Sequence, residues 1–96
     1  MIYNVVISTK ALEELYDSAE WYNSKKENLG FEFINEVDST IDIIKTNPLL
    51  FANVYGNFRM ALTNRFPFEI FYTIDNYTIV IHHIFHASRN PENWKK

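Results

Sequence analysis

The spacing of the apolar residues changes at Pro48, and this change limits the folds that the chain can adopt. Before Pro48 the apolar residues recur every three or four positions, in two series typical of amphipathic helices: Leu12, Leu15, Ala19 and Tyr22, then Ile34, Val37, Ile41 and Ile44. After Pro48, apolar residues alternate with polar ones or form short runs, as they do in strands. The chain therefore places two helices ahead of most of a sheet.

Local residue signals indicate where these elements begin and end. A first strand at residues 2–7 stops at Ser8, the predicted N-cap of a helix that ends near Asn23. The second helix ends at Asn47, because Pro48 disfavours the helical conformation in the residue before it. Three further strands are predicted, at residues 58–63, 68–74 and 77–85, the last two joined by a tight turn.

These elements predict a single α+β domain over residues 1–96. A short N-terminal strand and an antiparallel two-helix hairpin pack on a mostly antiparallel sheet of about four strands. Alternation at residues 58–63 predicts that Phe58, Met60 and Leu62 face the helices and that Arg59 faces away. A chain of 96 residues with 47% hydrophobic composition can fill one core, but not two.

The absence of cysteine excludes several classes of chemistry. No disulfide framework, thiolate metal site or cysteine nucleophile is available. The N-terminus lacks the basic start and long apolar run of a signal peptide, and no apolar stretch approaches the length of a membrane span. We expect a cytoplasmic protein.

Charge is distributed unevenly between the two halves of the chain. The net charge of -3 argues against a general nucleic-acid binder. Residues 1–48 contain four lysines and nine acids, whereas residues 49–96 contain five basic residues, all three arginines among them, and three acids. Either the arginines are solvated surface residues, which composition favours, or they form a local anion-binding patch.

Histidines and arginines in the second half carry most of the chain's potential chemistry: Arg59, Arg65, His82, His83, His86 and Arg89. Alternation along the last strand predicts His82 and His86 on one face and His83 on the other. Histidine suits proton transfer and arginine suits phosphate oxygens, so Arg59, His86 and Arg89 could cleave or hold a phosphodiester. The alternative is that each histidine is a strand residue satisfied by its neighbours.

A metal site is not expected at these histidines. No acid lies between Asp75 and Glu92 to complete a ligand set locally. No other cofactor is indicated by any motif.

The two tryptophans are predicted to differ in role. Trp21 and Tyr22 lie in a helix with an apolar face and are expected to pack against the core. Trp94 follows the last predicted element and precedes Lys95 and Lys96. It either contacts a partner or folds back over the core.

An ordered set of short motifs runs through the second half. Arg59 is followed by Arg65-Phe66-Pro67-Phe68, then by Tyr72 two residues before Ile74-Asp75, and finally by His86-x-x-Arg89-x-Pro91. The first half adds a Leu15-Tyr16 pair in the first helix and Leu29-Gly30-Phe31 at the start of the second. In this order and spacing, the set resembles the RelE/ParE superfamily of bacterial toxins, which includes plasmid-stabilisation proteins.

The resemblance implies a function as well as a fold. Members of this superfamily are the toxins of type II toxin-antitoxin systems, each held inactive by an antitoxin that lays a helix or extended segment across it. RelE-like members cut messenger RNA on the ribosome, using basic residues and a late tyrosine or histidine. ParE-like members poison DNA gyrase. The implied partners are an antitoxin and one of these two targets.

Several residues of the ribonuclease pattern are missing. No lysine occurs between Lys45 and Lys95, and Trp94 stands where a catalytic tyrosine is expected, although an indole cannot exchange a proton near neutral pH. A net charge of -3 is also unlike a protein that binds among ribosomal phosphates. The sequence therefore favours a ParE-like, gyrase-directed toxin over a ribosome-dependent endoribonuclease or a non-toxic interaction domain.

Site residues follow from these alternatives. If the protein is a ribonuclease, the resemblance implies catalytic roles for Arg59, His86 and Arg89. Contacts to the target or the antitoxin are predicted at Arg65, Tyr72 and Trp94.

Overall fold

Five strands and two α-helices form the described part of the chain, residues 3–89 of a computed structural model. In chain order they are β1 (Asn4–Ile7), α1 (Thr9–Lys25), α2 (Leu29–Thr46), β2 (Asn53–Tyr55), β3 (Phe58–Leu62), β4 (Phe68–Asp75) and β5 (Thr78–His86), followed by a 3-10 turn at Ala87–Arg89. The predicted α+β class and helical hairpin are confirmed. The sheet has one strand more than predicted, because three residues in β2 are too few to show an alternation.

The sheet has the strand order β1-β5-β4-β3-β2. Only β1 is parallel to its neighbour, with Asn4 beside Thr78 and Ile7 beside Ile81. The other neighbouring strands are antiparallel. Because β1 stops at Ile7, the second half of β5 has no strand on that side within residues 3–89.

Ser8 joins β1 to α1. Its backbone N–H donates to the Ile81 carbonyl at 2.9 Å, which continues the sheet, and its Oγ accepts from the Ala11 N–H at 3.0 Å. The second contact is an N-cap, so the prediction for Ser8 is confirmed. At the end of α2, the Asn47 N–H donates to the Ile43 carbonyl at 2.9 Å, and Pro48 follows.

The two helices approach each other closely at Gly30. A Cβ on this residue would lie 2.4 Å from the Ala19 carbonyl oxygen. The Gly30 N–H also donates to Asn23 Oδ1 at 2.8 Å, which ties the start of α2 to α1. The hairpin therefore needs glycine here for space.

The core lies between the helical hairpin and one face of the sheet. Its fully buried members include Phe33, Val37 and Ile44 from α2, together with residues of β4 and β5. Neither helix within residues 3–89 combines the length and the hydropathy that crossing a membrane requires.

Strand β3 presents the opposite face to the helices from the one predicted. Ala61 is completely buried beside Ile70, whereas Leu62 is 57% exposed. Arg59 pairs with Tyr72, a core residue, and therefore lies on the helix side. The prediction was wrong because apolar residues occupy both sides of β3, so that alternation alone could not choose between them.

A β-bulge in β5 overturns the predicted grouping of the histidines. Phe71 pairs with His83 and Tyr72 pairs with Ile81, which leaves His82 as an extra residue. The bulge reverses the alternation beyond it. His82 and His83 consequently lie on the face away from the helices, and His86 lies on the helix side.

Candidate functional site

A cleft of about 470 Å³ opens between α1 and the end of β5. Asp17, Trp21 and Tyr22 line it from α1, and Phe68, His86 and Ser88 line it from the sheet and the turn that follows. A second hollow of about 310 Å³ shares Asp17 and His86 and extends to Glu14. The two together form a groove along α1, and we call the larger one the α1–β5 cleft.

His86 is held in one orientation at this cleft. Its Nδ1 accepts from the Ser88 backbone N–H at 3.1 Å and lies 2.7 Å from Ser88 Oγ. Its ring meets the Phe68 ring edge-on, with 5.2 Å between centroids. A neutral imidazole whose Nδ1 accepts an N–H carries its own proton on Nε2, so His86 presents a donor there.

Trp21 forms an exposed wall of the cleft. Its side chain is 56% exposed, and its ring meets Tyr22 edge-on at 5.1 Å. The prediction that both residues pack in the core was wrong for Trp21. Successive helical residues point about 100° apart, and Tyr22 takes the inward position against Phe33 and Phe66.

Glu14 closes part of the open edge of β5. Its carboxylate accepts from the Ile84 backbone N–H at 2.9 Å and lies 3.2 Å from His83 Nδ1. It thus stands where β1 would continue if it were longer. No local signal in the sequence distinguishes Glu14 from the other acids of α1, because the contact depends on where β1 stops.

His82 is a strand residue with its own neighbours. Its Nε2 lies 2.8 Å from Thr73 Oγ1, and its ring lies 4.9 Å from that of Phe58. Burial, and then the charge of His83, lower the pKa of His82 below its usual value. Within residues 3–89, no three histidine, aspartate or glutamate side chains gather as metal ligands would.

Arg59 and Tyr72 are bonded to the segment that follows α2. Arg59 Nη1 donates to the Phe51 carbonyl at 2.5 Å, and the Tyr72 hydroxyl donates to the Pro48 carbonyl at 2.6 Å. Burial raises the pKa of Tyr72 to about 12, with Arg59 opposing the shift. Tyr72 has no exposed surface. It is a core residue, which corrects its predicted role as a contact for a target or antitoxin.

The structure does not bring Arg59 and His86 together. Arg59 lies opposite Tyr72, and His86 lies opposite Phe68. Their backbones are roughly 15 Å apart. This distance combines four residues along β4, at about 3.3 Å each, with two spacings between strands, of about 4.8 Å each. The Arg89 side chain and Trp94 lie outside the described part of the chain.

Arg65 is exposed and already paired. Its Nη1 lies 2.6 Å from Glu32 Oε1, and its guanidinium stacks 4.8 Å from the centre of the Phe66 ring. The neighbouring Phe66 N–H donates to Glu36 Oε2 at 3.0 Å. These contacts tie the β3–β4 loop to α2, and a partner that uses Arg65 would share it with Glu32.

Comparison with known proteins identifies the family. The family model described as "ParE toxin of type II toxin-antitoxin system, parDE" matches residues 5–91. The chain belongs to the ParE toxin family. The predicted ParE-like membership of the RelE/ParE superfamily is thereby confirmed. No curated protein sequence shows significant similarity to this ParE-family toxin.

Two solved structures share the toxin's fold. One is the chromosomal ParDE toxin-antitoxin system from P. aeruginosa, with a TM-score of 0.79 and 13% identity, covering 88% of this chain and 96% of that one. The other is the toxin-antitoxin complex RelBE2 from Mycobacterium tuberculosis, with a TM-score of 0.64 and 17% identity, covering 91% of this chain and 100% of that one.

Proposed function

We propose that this ParE-family toxin is held inactive by a cognate protein antitoxin and that, once free, it stops growth by poisoning DNA gyrase. The observation that carries the choice of target is the separation of Arg59 from His86. Groups that cleave one phosphodiester must lie within hydrogen-bonding reach of the same phosphate. Arg59 is roughly 15 Å from His86 along the sheet and donates instead to the Phe51 carbonyl.

The charge around His86 also favours a target other than ribosomal RNA. Asp17 lines the α1–β5 cleft beside His86, and Glu14 lines the adjoining hollow. Carboxylates at this position repel the phosphates that a ribonuclease must bind.

An antitoxin partner is supported by the fold neighbours. Both similar structures are described as toxin-antitoxin assemblies, from P. aeruginosa and from Mycobacterium tuberculosis. This toxin also exposes four apolar side chains close together in sequence: Leu49, Leu50, Val54 and Tyr55. Apolar groups presented in this way are typical of protein interfaces. Action on gyrase would place the protein in the bacterial cytoplasm, as expected from the sequence.

A supercoiling assay tests the target directly. Purified toxin is added to gyrase and relaxed plasmid, and we expect loss of supercoiling or accumulation of cleaved DNA. Adding the protein encoded beside the toxin should restore supercoiling. Relaxation by a type I topoisomerase serves as the control for nonspecific effects on DNA.

The alternatives give different results. Normal supercoiling at large molar excess of toxin, together with cuts inside translated codons by primer extension, would establish a ribonuclease instead. Normal growth after induction of the toxin alone would identify a non-toxic interaction domain.

A further inference from the structure

We propose that a second copy of this toxin binds at the edge strand β2. The two copies pair their β2 strands antiparallel about a two-fold axis and pack residues 49–55 against one another. This proposal concerns the toxin alone and does not rest on its cellular target or on an antitoxin. It rests on the free edge of the sheet, the apolar side chains at that edge and the lack of charged residues in residues 46–58.

Strand β2 is a free edge of the sheet. It comes last in the strand order β1-β5-β4-β3-β2, and all three of its residues are exposed. The Ala52 carbonyl accepts from the Met60 N–H of β3 at 3.4 Å. Backbone groups of successive strand residues point to opposite sides, so the N–H and C=O of Asn53 point away from β3. Two such residues in antiparallel strands can exchange both of their hydrogen bonds.

The apolar side chains at this edge provide most of the contact, because β2 has only three residues to pair. Four side chains within seven consecutive residues are exposed, by 44% to 64%: Leu49, Leu50, Val54 and Tyr55. At on the order of 100 Å² each, they present about 400 Å² of apolar surface per copy. Apolar atoms make up about 60% of a protein interface, so two copies would bury roughly 1,300 Å² in total. This area is within the range of about 1,200–2,000 Å² for specific complexes.

The charge distribution favours a second copy as the partner. No charged residue occurs between Lys45 and Arg59. Edge strands often carry a charged residue or a proline that prevents pairing with another chain, and β2 has neither. A partner of opposite charge would gain no ion pair with residues 46–58. Two copies, each with a net charge of -3, can meet there without bringing like charges together. The edge is also self-complementary, as a two-fold contact requires.

The proposed contact leaves the α1–β5 cleft uncovered. Strands β3 and β4 separate β2 from β5, which amounts to roughly 14 Å across the sheet. Pairing at β2 extends the sheet in the direction away from the cleft. A dimer of the toxin therefore presents two α1–β5 clefts.

Sedimentation equilibrium of the purified toxin tests the association. We expect the mass to reach that of two copies at concentrations on the order of micromolar. Leu50→Lys places a charge in the contact and should weaken the dimer at least about tenfold. Tyr77→Lys is the matched control, because Tyr77 is 58% exposed and Leu50 59%, and Tyr77 precedes β5 rather than β2. A monomer at every concentration, or equal weakening by both substitutions, would overturn the proposal.

A single thiol tests the geometry, because the natural chain has no cysteine. Opposite residues that exchange both hydrogen bonds have Cα atoms about 5.5 Å apart, within the range of about 4.4–6.8 Å that a disulfide bridges. In a glutathione redox buffer, we expect Asn53→Cys to form at least about tenfold more covalent dimer than Ser39→Cys, which is exposed on α2. Adding Leu50→Lys to Asn53→Cys should lower the covalent dimer to the level of Ser39→Cys.

The remaining outcomes separate the second copy from other occupants of the edge. Equal amounts of covalent dimer in Asn53→Cys and Ser39→Cys would contradict the pairing of β2. If the toxin is monomeric and Leu50→Lys instead abolishes binding of the protein encoded beside it, the apolar side chains belong to an antitoxin interface and the proposal is wrong. Far-UV circular dichroism verifies that each variant is folded.

Discussion

At the Arg59 end of the sheet, the polar side chains bind the protein's own backbone, whereas at the His86 end they line an open cleft. Arg59 and Tyr72 donate to the carbonyls of Phe51 and Pro48. Among residues 3–89, His86 hydrogen-bonds to Ser88 in the turn beside it, and it borders a cleft of about 470 Å³. Both ends carry the residue types that bind partners, but at the first end the donors of Arg59 and Tyr72 are already used by backbone carbonyls.

The difference follows from what covers each end. After α2 the chain crosses the sheet at residues 47–52 without regular structure, and its carbonyl groups need donors. Arg59 and Tyr72 supply two of these donors. At the other end β1 stops at Ile7, and beyond Ser8 the Glu14 carboxylate caps the edge of β5 at Ile84. Arg59 and Tyr72 are therefore structural, whereas His86 and Trp21 border an open cleft.

The largest effect that this comparison predicts is on stability, for Tyr72→Ala. The change removes a fully buried ring and its hydrogen bond to Pro48, and we expect it to lower the free energy of unfolding by about 3–5 kcal/mol. Tyr77→Ala is the matched control, because Tyr77 is 58% exposed in the turn before β5. Urea unfolding at neutral pH measures both variants. If Tyr72→Ala and Tyr77→Ala lowered the free energy of unfolding by similar amounts, the side chains at the Arg59 end would not be structural.

A smaller effect is predicted for Arg59 and His86, two of the three residues grouped as catalytic. Arg59→Met keeps the apolar stem but removes the donor to Phe51, at a cost of about 1.5 kcal/mol for a hydrogen bond from a charged group. His86→Gln should change stability by less than about 0.5 kcal/mol, as expected for a residue beside an open cleft. The same urea titrations compare them. An equal or larger loss in His86→Gln would mean that the His86 end is a structural anchor too.

Most of the fold was predictable because its signals are local. The helical spacing of Leu15, Ala19 and Tyr22, the cap at Ser8 and the proline after Asn47 each act within a few residues. The exposure of Trp21, which was predicted wrongly, could have been predicted as well, since Tyr22 continues the inward series and the adjacent helical residue points about 100° away from it.

The features that were not predictable depend on how distant strands pair. Which face β3 turns to the helices depends on its pairing with β4, which buries Ala61 beside Ile70. The bulge at His82 is visible only from the pairing of β4 with β5. Both errors affected the candidate site. Grouping Arg59 with His86 assumed a pairing of β3, β4 and β5 that the sequence alone does not specify. His86 was selected from its chemistry alone, and its role stays a prediction.

The smallest predicted effect concerns His82, which lies in the bulge between the two ends. Burial and the charge of His83 lower the pKa of His82 in the folded protein, whereas in the unfolded chain it stays near 6.5. Below about pH 6.5 the unfolded state therefore binds more protons than the folded state, and the free energy of unfolding must fall as the pH falls through this window. The contribution of neutral His82 to the free energy of unfolding is fully present above about pH 6.5. It is lost progressively as the pH falls to the lower pKa of the folded state.

Urea unfolding at about pH 5.5 and about pH 7.5 measures this contribution, because histidines are the side chains that ordinarily titrate between these two values. His82→Gln keeps a polar group beside Thr73 but cannot titrate, so we expect it to lose less stability on acidification than the natural chain. Tyr77→Ala, which keeps all three histidines, should lose as much as the natural chain. If His82→Gln loses as much stability on acidification as the natural chain does, the prediction for His82 is wrong.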